Sequence, residues 1–230
     1  MPLKIGLILA AAGTGQRFGD SLPKQFATIN GVSLLRMAAV RLLDAIDFYK
    51  VVATAPPDYL SQTNLELINL SKTFTLVAGG KERRDSIRYG LEALGEVDLV
   101  MIHDAARPLV TKNICEATLS AALTVGAAIP AIPVADTVKY ATNLGTIKET
   151  LDRSRINLAQ TPQCFRYDLI RLAYDQPEAN LVGVTDDAQL VERLDRPVKI
   201  VPGHPQLLKV TTRDDLKQIE RLLKSGEAEQ

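Results

Sequence analysis

An α/β fold with a mainly parallel sheet and helices on both faces is predicted by the rhythm of the chain. Continuous apolar runs of strand length alternate with helix-period segments, giving β, α, β, α, β, α, β, α, β over residues 3–134. Loops rich in small and charged residues follow the first, third and fourth of these runs: AAAGTGQRFG, AGGKERRDS and HDAARP. In such sheets ligands bind beyond the C-terminal strand ends, so loops distant in sequence should meet at one edge. One stretch, 133–156, breaks the rhythm and reads as a protruding β-arm.

Each element has its own warrant. LKIGLILA (3–10) is an unbroken apolar run, as expected of a strand covered on both faces. SLLRMAAVRLLDAI (33–46) sets Leu34, Leu35, Ala38, Leu42 and Leu43 on one helical stripe, with Ser33 as N-cap. KVVATA (50–55) is a second strand, stopped by Pro56-Pro57, and 58–70 follows as a helix. TFTLVAGG (73–80) is a third strand ending on two glycines. ERRDSIRYGLEAL (82–94) is a helix interrupted at Gly90, and DLVMIHDAARP (98–108) is a strand and a turn fixed by Pro108. Residues 111–125 read as a helix and GAAIPAIPV (126–134) as a strand.

In the arm, ADTVKYAT and TIKETLDR alternate apolar and polar residues around Asn143-Leu144-Gly145, a hairpin pattern. A two-stranded ribbon is marginal alone in water. It must clasp a partner subunit or fold back on its own domain. Helices near 167–176 and 185–194, strands VKIVP and LLKVT, and a helix from about 213 complete a single domain over 1–230, the arm included.

Composition narrows the function. The chain of 230 residues is 46% hydrophobic and 23% charged, with 27 basic and 27 acidic residues. A dedicated nucleic-acid binder would be basic, so none is expected, although charge can concentrate in a pocket. Cys115 and Cys164 lie far apart without a C-x-x-C pair, so buried thiols are expected rather than a disulfide framework or zinc site. No apolar window reaches bilayer-spanning length and the N-terminus lacks a signal-peptide layout, so a cytoplasmic protein is expected.

The glycine loop is neither of its look-alikes. A dinucleotide fingerprint needs G-x-G-x-x-G, but the third position falls on Phe18, and no register supplies the Lys and Ser/Thr of a P-loop. What remains is a small-residue loop able to bring backbone N–H groups to phosphate oxygens. Arg17 and Lys24, the latter in LPKQF, add a planar fork and a compact point charge. That pairing suits a nucleoside triphosphate under attack; the alternative is a glycine turn with two solvated basic residues. In GGKERRDS, Gly79 and Gly80 precede a helix start where Ser86 either caps the helix or reads a base edge, and Arg83 or Arg84 reads as a solvated face residue. Asp104 ends an apolar strand, where an acid binds a ribose hydroxyl or a metal ion, or caps a turn. His103 and His204 have no nucleophile partner in the sequence and read as structural.

Taken in order, AAAGTGQRFG, LPKQF, GGKERRDSI, HDAARP, DTVK, LDR, TPQ, VTDD and LLKVT closely resemble the 2-C-methyl-D-erythritol 4-phosphate cytidylyltransferases of non-mevalonate isoprenoid synthesis. The resemblance covers nearly the whole chain; the ordered set carries it more than any one motif. It implies a nucleotide-diphospho-sugar-transferase fold and transfer of CMP from CTP to methylerythritol phosphate, with pyrophosphate released. It also implies Mg²⁺, held mainly by the CTP phosphates with Asp104 as the protein's candidate ligand, and a homodimer in which the arm completes the neighbour's site. Arg17 and Lys24 match transition-state stabilisers, and Arg153 and Lys209 match residues that orient the attacking phosphate. Ala11, Ala12, Gly80 and Ser86 match cytosine-reading positions, Asp104 and Ala105 the ribose and phosphate side, and Ala10, Gly13, Gly15 and Lys81 complete the CTP set. Arg107, Thr137 and Thr185, with Arg153 and Lys209, match the acceptor-binding positions. Two departures stand out: Leu207 or Leu208 replaces a polar residue, often Asn, before Lys209, and Gln16 replaces a second basic residue beside Arg17. The nearest rival, a ribitol-5-phosphate cytidylyltransferase, often carries HDAVRP and an AGG loop where this chain has HDAARP and AAAG. A nucleotide-binding module without catalysis is the rival of another class, disfavoured by the retained Arg17, Lys24, Arg153 and Lys209.

Overall fold

A computed structural model describes residues 2–13, 18, 22–177 and 182–226. Strand β1 (Ile5–Ala10) is followed by a single 3-10 turn at Lys24–Phe26, the short hairpin β2 (Thr28–Ile29) and β3 (Val32–Ser33), and helix α1 (Leu34–Ala45). Then come β4 (Lys50–Ala55), α2 (Leu60–Leu67), β5 (Thr75–Ala78), α3 (Arg83–Leu94), β6 (Leu99–Asp104), α4 (Lys112–Val125) and β7 (Ala127–Pro133). The remainder is β8 (Lys139–Ala141), β9 (Ile147–Thr150), β10 (Asn157–Ala159), β11 (Gln163–Arg166), α5 (Tyr167–Tyr174), α6 (Ala188–Glu192), β12 (Lys199–Pro202) and α7 (Arg213–Lys224).

The main sheet has β5, β4, β1 and β6 side by side, all parallel. Next to β6, β11 runs antiparallel and passes the sheet on to β7. β7 pairs antiparallel with β10 at its far end and parallel with β12. The mainly parallel sheet is therefore as the β-α rhythm predicts. The chain winds outward from β1 through β4 to β5, then returns to β6 on the other flank of β1. That reversal is the topological switch point where α/β sheets open a crevice.

Alternation along the central strands divides the core between the two faces. Leu7 and Leu9 join one buried cluster with Leu35, Ala38 and Leu42 of α1 and Ile114 of α4. Ile8, Val100 and Ile102 join another with Ile87 and Leu91 of α3 and Ile170 of α5. Successive strand side chains point to opposite faces, so an unbroken apolar run serves both. Ser33 caps α1 as expected, its hydroxyl accepting from Arg36 N at 3.1 Å. Both cysteines are buried free thiols, and burial pushes the Cys115 thiol up to about 12. No helix among the described residues is long and apolar enough to cross a membrane.

Several expectations are corrected. LLKVT is not a strand. Leu207 and Val210 are buried in two different clusters, and Val210 N donates to Ala106 O without a ladder beyond it. The helix expected over 185–194 shrinks to Ala188–Glu192, and the backbone N–H groups of Thr185 and Asp187 before it are taken up by the side chains of Gln189 and Gln163. Gly90 does not interrupt α3, which runs through it against β1. β10 and β11 went unforeseen, being short and defined only by long-range pairing with β6 and β7. The arm hairpin is present, but its paired segments are only β8 and β9, with every residue of both exposed.

Candidate active site

The carboxyl ends of β1 and β6 are in register, Ala10 opposite Asp104, and Ala105 N donates to Ala10 O at 3.0 Å. Ala11 N reaches across to Thr54 O on β4 at 2.9 Å, and Gly79 N to Ala55 O at 2.8 Å. These bonds draw the loops after β1, β5 and β6 to one edge. Between them lies a cavity of about 250 Å³. Ala10, Ala11, Ala12, Gly13, Gly80, Ser86 and Ala105 wall it, and Lys24, Lys81, Arg83 and Lys209 line it with Glu82 and Asp104. Four cations against two carboxylates leave the lining at +2 in a chain of net charge zero. Positive charge is concentrated here, as an anionic ligand requires.

Small residues are demanded by close approach. A Cβ on Gly79 would come within 2.2 Å of the Ala12 Cβ, and one on Gly80 within 2.2 Å of the Asp85 Cβ. The loop after β5 can lie against the loop after β1 only without side chains. Ser86 Oγ accepts from Gly80 N at 3.1 Å and donates to Glu82 O at 3.2 Å, pinning that loop to α3. The cap of α3 is Glu82, in a reciprocal box with Asp85, so Ser86 is not the N-cap.

Opposite, the LPKQF turn is anchored by Gln25, which is buried and donates through Nε2 to Ala11 O at 2.6 Å. Sequence reasoning missed Gln25; a polar residue between Lys24 and Phe26 in a tight turn was its only signal. Lys24 beside it donates to Val210 O at 2.8 Å.

Asp104 is the electrostatic centre. Its Oδ2 takes Lys209 Nζ at 2.6 Å and its Oδ1 takes Arg83 Nε at 3.2 Å. Burial alone would push this carboxyl up, but Arg83, then Lys209 and Arg107, more than offset it and hold Asp104 well below the usual carboxylate range. Arg83 also gives Nη2 to Asp187 Oδ2 at 2.8 Å, so it is a half-buried bridge between two carboxylates and not the solvated face residue expected from its helix position. Its burial disfavours the charge, but Asp187 and Asp104 outweigh this and raise it well above the ordinary arginine value.

His103 is fully buried and structural. Nε2 lies 3.0 Å from Arg107 O and Nδ1 3.1 Å from Thr161 Oγ1, which also accepts from Asp104 N at 3.1 Å. A neutral ring protonated at Nε2 satisfies all three contacts. Burial lowers this histidine to about 4.

The cavity thus gathers Ala10, Ala11, Ala12, Gly13, Lys24, Gly80, Lys81, Ser86, Asp104, Ala105 and Lys209 from the expected set. Gly15 and Arg17 lie outside the described residues. Arg107, Thr137, Arg153 and Thr185 do not line it. Arg107 donates to Leu207 O at 2.7 Å and Ala159 O at 3.4 Å, clamping the segment before Lys209. Thr185 is exposed and donates to Gln189 Oε1 at 3.4 Å. Thr137 and Arg153 lie exposed at the arm, with Arg153 donating to Ala135 O.

Comparison with known proteins decides the family. The family model described as "IspD: 2-C-methyl-D-erythritol 4-phosphate cytidylyltransferase" matches residues 5–225. The chain belongs to the IspD family. It is 43% identical to the 2-C-methyl-D-erythritol 4-phosphate cytidylyltransferase of Syntrophus aciditrophicus, over 99% of each chain. It is 40% identical to that of Pelotomaculum thermopropionicum, covering 96% of this chain and 95% of the relative. Among solved structures, the 4-diphosphocytidyl-2C-methyl-D-erythritol synthase of Anaerococcus prevotii superimposes with a TM-score of 0.85 at 28% identity, covering 96% of this chain and 99% of the other. An IspD enzyme is a nucleotidyltransferase, and the activity here is cytidylyl transfer in the non-mevalonate isoprenoid pathway. Cations gathered in a small-residue cavity of a neutral protein suit an activity that brings anionic groups together.

Proposed function

We propose that the cavity takes CTP with its base and ribose along the loops after β1, β5 and β6, and that 2-C-methyl-D-erythritol 4-phosphate attacks its α-phosphorus. A phosphate oxygen of the acceptor forms the new P–O bond. The bond from the α-phosphorus to the bridging oxygen breaks, and pyrophosphate leaves with that electron pair. The acceptor phosphate is already an anionic nucleophile, so no general base is needed, and catalysis rests on alignment and charge stabilisation. The observation that carries this reading is the net-positive cavity at the β1/β6 switch, with Lys24 and Lys209 in its lining. In this reading Lys24 and Arg17 stabilise charge developing on the CTP phosphates. Lys209, joined by Arg153, orients the incoming phosphate, and Asp104 serves the ribose side. Small residues from Ala10 to Gly13, with Gly80 and Ser86, form the cytosine shelf.

The described residues do not fit a protein-held Mg²⁺. Both Asp104 oxygens are engaged by cations, and no group of three His, Cys, Asp or Glu that could hold a metal occurs among the described residues. We therefore place Mg²⁺ on the CTP triphosphate, as part of the substrate. We read residues 1–230 as one catalytic unit with the 133–156 arm, working in the cytoplasm as a homodimer through that arm. Its deciding experiment is pyrophosphate release in the presence of Mg²⁺ from each of the four common nucleoside triphosphates, with methylerythritol phosphate, ribitol 5-phosphate or no acceptor. Release is expected with CTP and methylerythritol phosphate together. Release with ribitol 5-phosphate alone would overturn the acceptor assignment.

A further inference from the structure

The TPQ and VTDD motifs hold no residue that lines the cavity, yet the structure joins them to it through a chain of alternating charge that runs from a fully buried carboxylate to the cavity wall. Asp187, at the start of α6, has no solvent exposure. Its Oδ2 pairs with Arg83 Nη2 at 2.8 Å, Arg83 Nε pairs with Asp104 Oδ1 at 3.2 Å, and Asp104 Oδ2 pairs with Lys209 Nζ at 2.6 Å. The carboxylate is itself gripped from behind. Tyr174 OH, buried, donates to its Oδ1 at 2.6 Å, and Gln163 Oε1 accepts from Asp187 N and Ala188 N at 3.1 Å each. Gln163 Nε2 donates to Asp186 Oδ2 at 2.8 Å, fixing the amide in the orientation this requires.

We propose that Asp187 is a positioning residue for cytidylyl transfer: by holding one end of the Arg83 guanidinium it sets how Arg83 holds Asp104, and so where Asp104 holds Lys209. The inference rests on the functional reading above, in which Lys209 orients the acceptor phosphate. The physical reason is competition for one carboxylate. Arg83 divides its fork between Asp187 and Asp104, and Asp104 divides its two oxygens between Arg83 and Lys209. With Asp187 neutralised, Arg83, a half-buried cation on the cavity wall, keeps Asp104 as its one carboxylate partner in this chain and turns fully onto it, because the charge-assisted bond to a carboxylate is stronger than one to a neutral amide. Lys209 then loses its fixed partner. A displacement of about 1 Å at such a point costs on the order of 10²-fold in rate.

The test is steady-state kinetics of the full chain with CTP and methylerythritol phosphate, per active site, on Asp187→Asn, Lys209→Gln and the double variant. Asp187→Asn is expected to lower kcat/KM for the acceptor about 10- to 100-fold while KM for CTP changes less than about threefold. In the Lys209→Gln background the same change should cost under about twofold, since coupled residues are non-additive. Tyr174→Phe removes one support of the carboxylate but keeps the Asp187–Arg83 pair, so it should lower Tm while costing less in kcat/KM for the acceptor than Asp187→Asn does, and a loss that merely followed Tm across the two variants would count against positioning. Full acceptor kinetics in folded Asp187→Asn, or multiplicative losses in the double variant, would overturn the proposal. Where Asp187→Asn does not fold, Arg83→Lys takes its place: one ammonium cannot fork between two carboxylates, and the same non-additivity with Lys209→Gln is required. A wild-type protein without CTP-dependent turnover would overturn the functional reading instead.

Discussion

Burial at the end of β6 acts on adjacent residues in opposite ways. Asp104 has cations on both oxygens and stays charged, whereas His103 is sealed between Arg107 O and Thr161 and stays neutral. The two titrate in separate windows. Asp104, held below the usual range, contributes stability present above the unfolded carboxylate value of about 4 and lost as pH falls below it. His103 is lowered to about 4 from an unfolded value near 6.5. Between these two values the unfolded chain binds the additional proton, so stability rises with pH through the window and is fully present above it. The full span corresponds to about 3 kcal/mol. His103→Asn removes this term. Urea midpoints between pH 4 and 6.5 should fall with acid more steeply in the wild type than in the variant. Parallel curves would refute the assignment. This residue pair was half legible: HDAARP at a strand end marks Asp104 as functional, but the partners that hold it lie 21 and 105 positions away.

Helix α3 shows two effects competing at one position. Gly90 costs about 1 kcal/mol of helix propensity relative to Ala. A Cβ there would sit 2.9 Å from Ile8 Cγ2 and 3.3 Å from Thr54 Cγ2, and Ile8 and Thr54 are fully buried on the central strands. Overpacking a close-packed core costs about 1–3 kcal/mol, and a β-branched isoleucine has little rotamer freedom with which to yield. The packing term wins, so Gly90→Ala should lower Tm by several degrees; a rise in Tm would show that propensity dominates. The same contest explains what could be read at this scale. Strands β1, β4 and β6 and helix α1 were legible because pattern and environment agree. LLKVT reads as a short strand, but its apolar residues serve two clusters while Lys209 turns to Asp104, so tertiary contacts override the pattern. β10 and β11 carry no local signal, since antiparallel partners elsewhere in the sheet make them strands.

For the molecule as a whole, the convergence of distant loops was legible, because a doubly wound sheet places every β-to-α loop at one edge. The depth behind that edge was not: Asp187, Gln163 and Thr161 reach the site only through contacts that no spacing rule encodes. The arm poses the remaining question at this scale. Among the described residues β8 and β9 pair only with each other, and Tyr140, Leu144 and Ile147 are 50%, 90% and 65% exposed. An isolated hairpin with apolar residues in water is marginal, so a covering surface is needed. Arg153 and Thr137 lie at this exposed arm and do not line the chain's own cavity, which is the arrangement expected if they serve the site of a second copy. Complementation tests it. Lys24→Ala removes a cation from the cavity, and Arg153→Ala removes one from the arm, each costing roughly 10²–10³-fold in rate. If the arm acts across subunits, a mixed dimer carries both lesions at one site and leaves the other site intact. Mixing the two inactive variants under subunit exchange should then restore up to about a quarter of wild-type activity, since about half of the dimers are mixed and each has one intact site. If the arm serves its own cavity, each subunit in a mixed dimer keeps its lesion. Activity would stay at the level of the parents although exchange, followed by mass-tagged subunits, is complete.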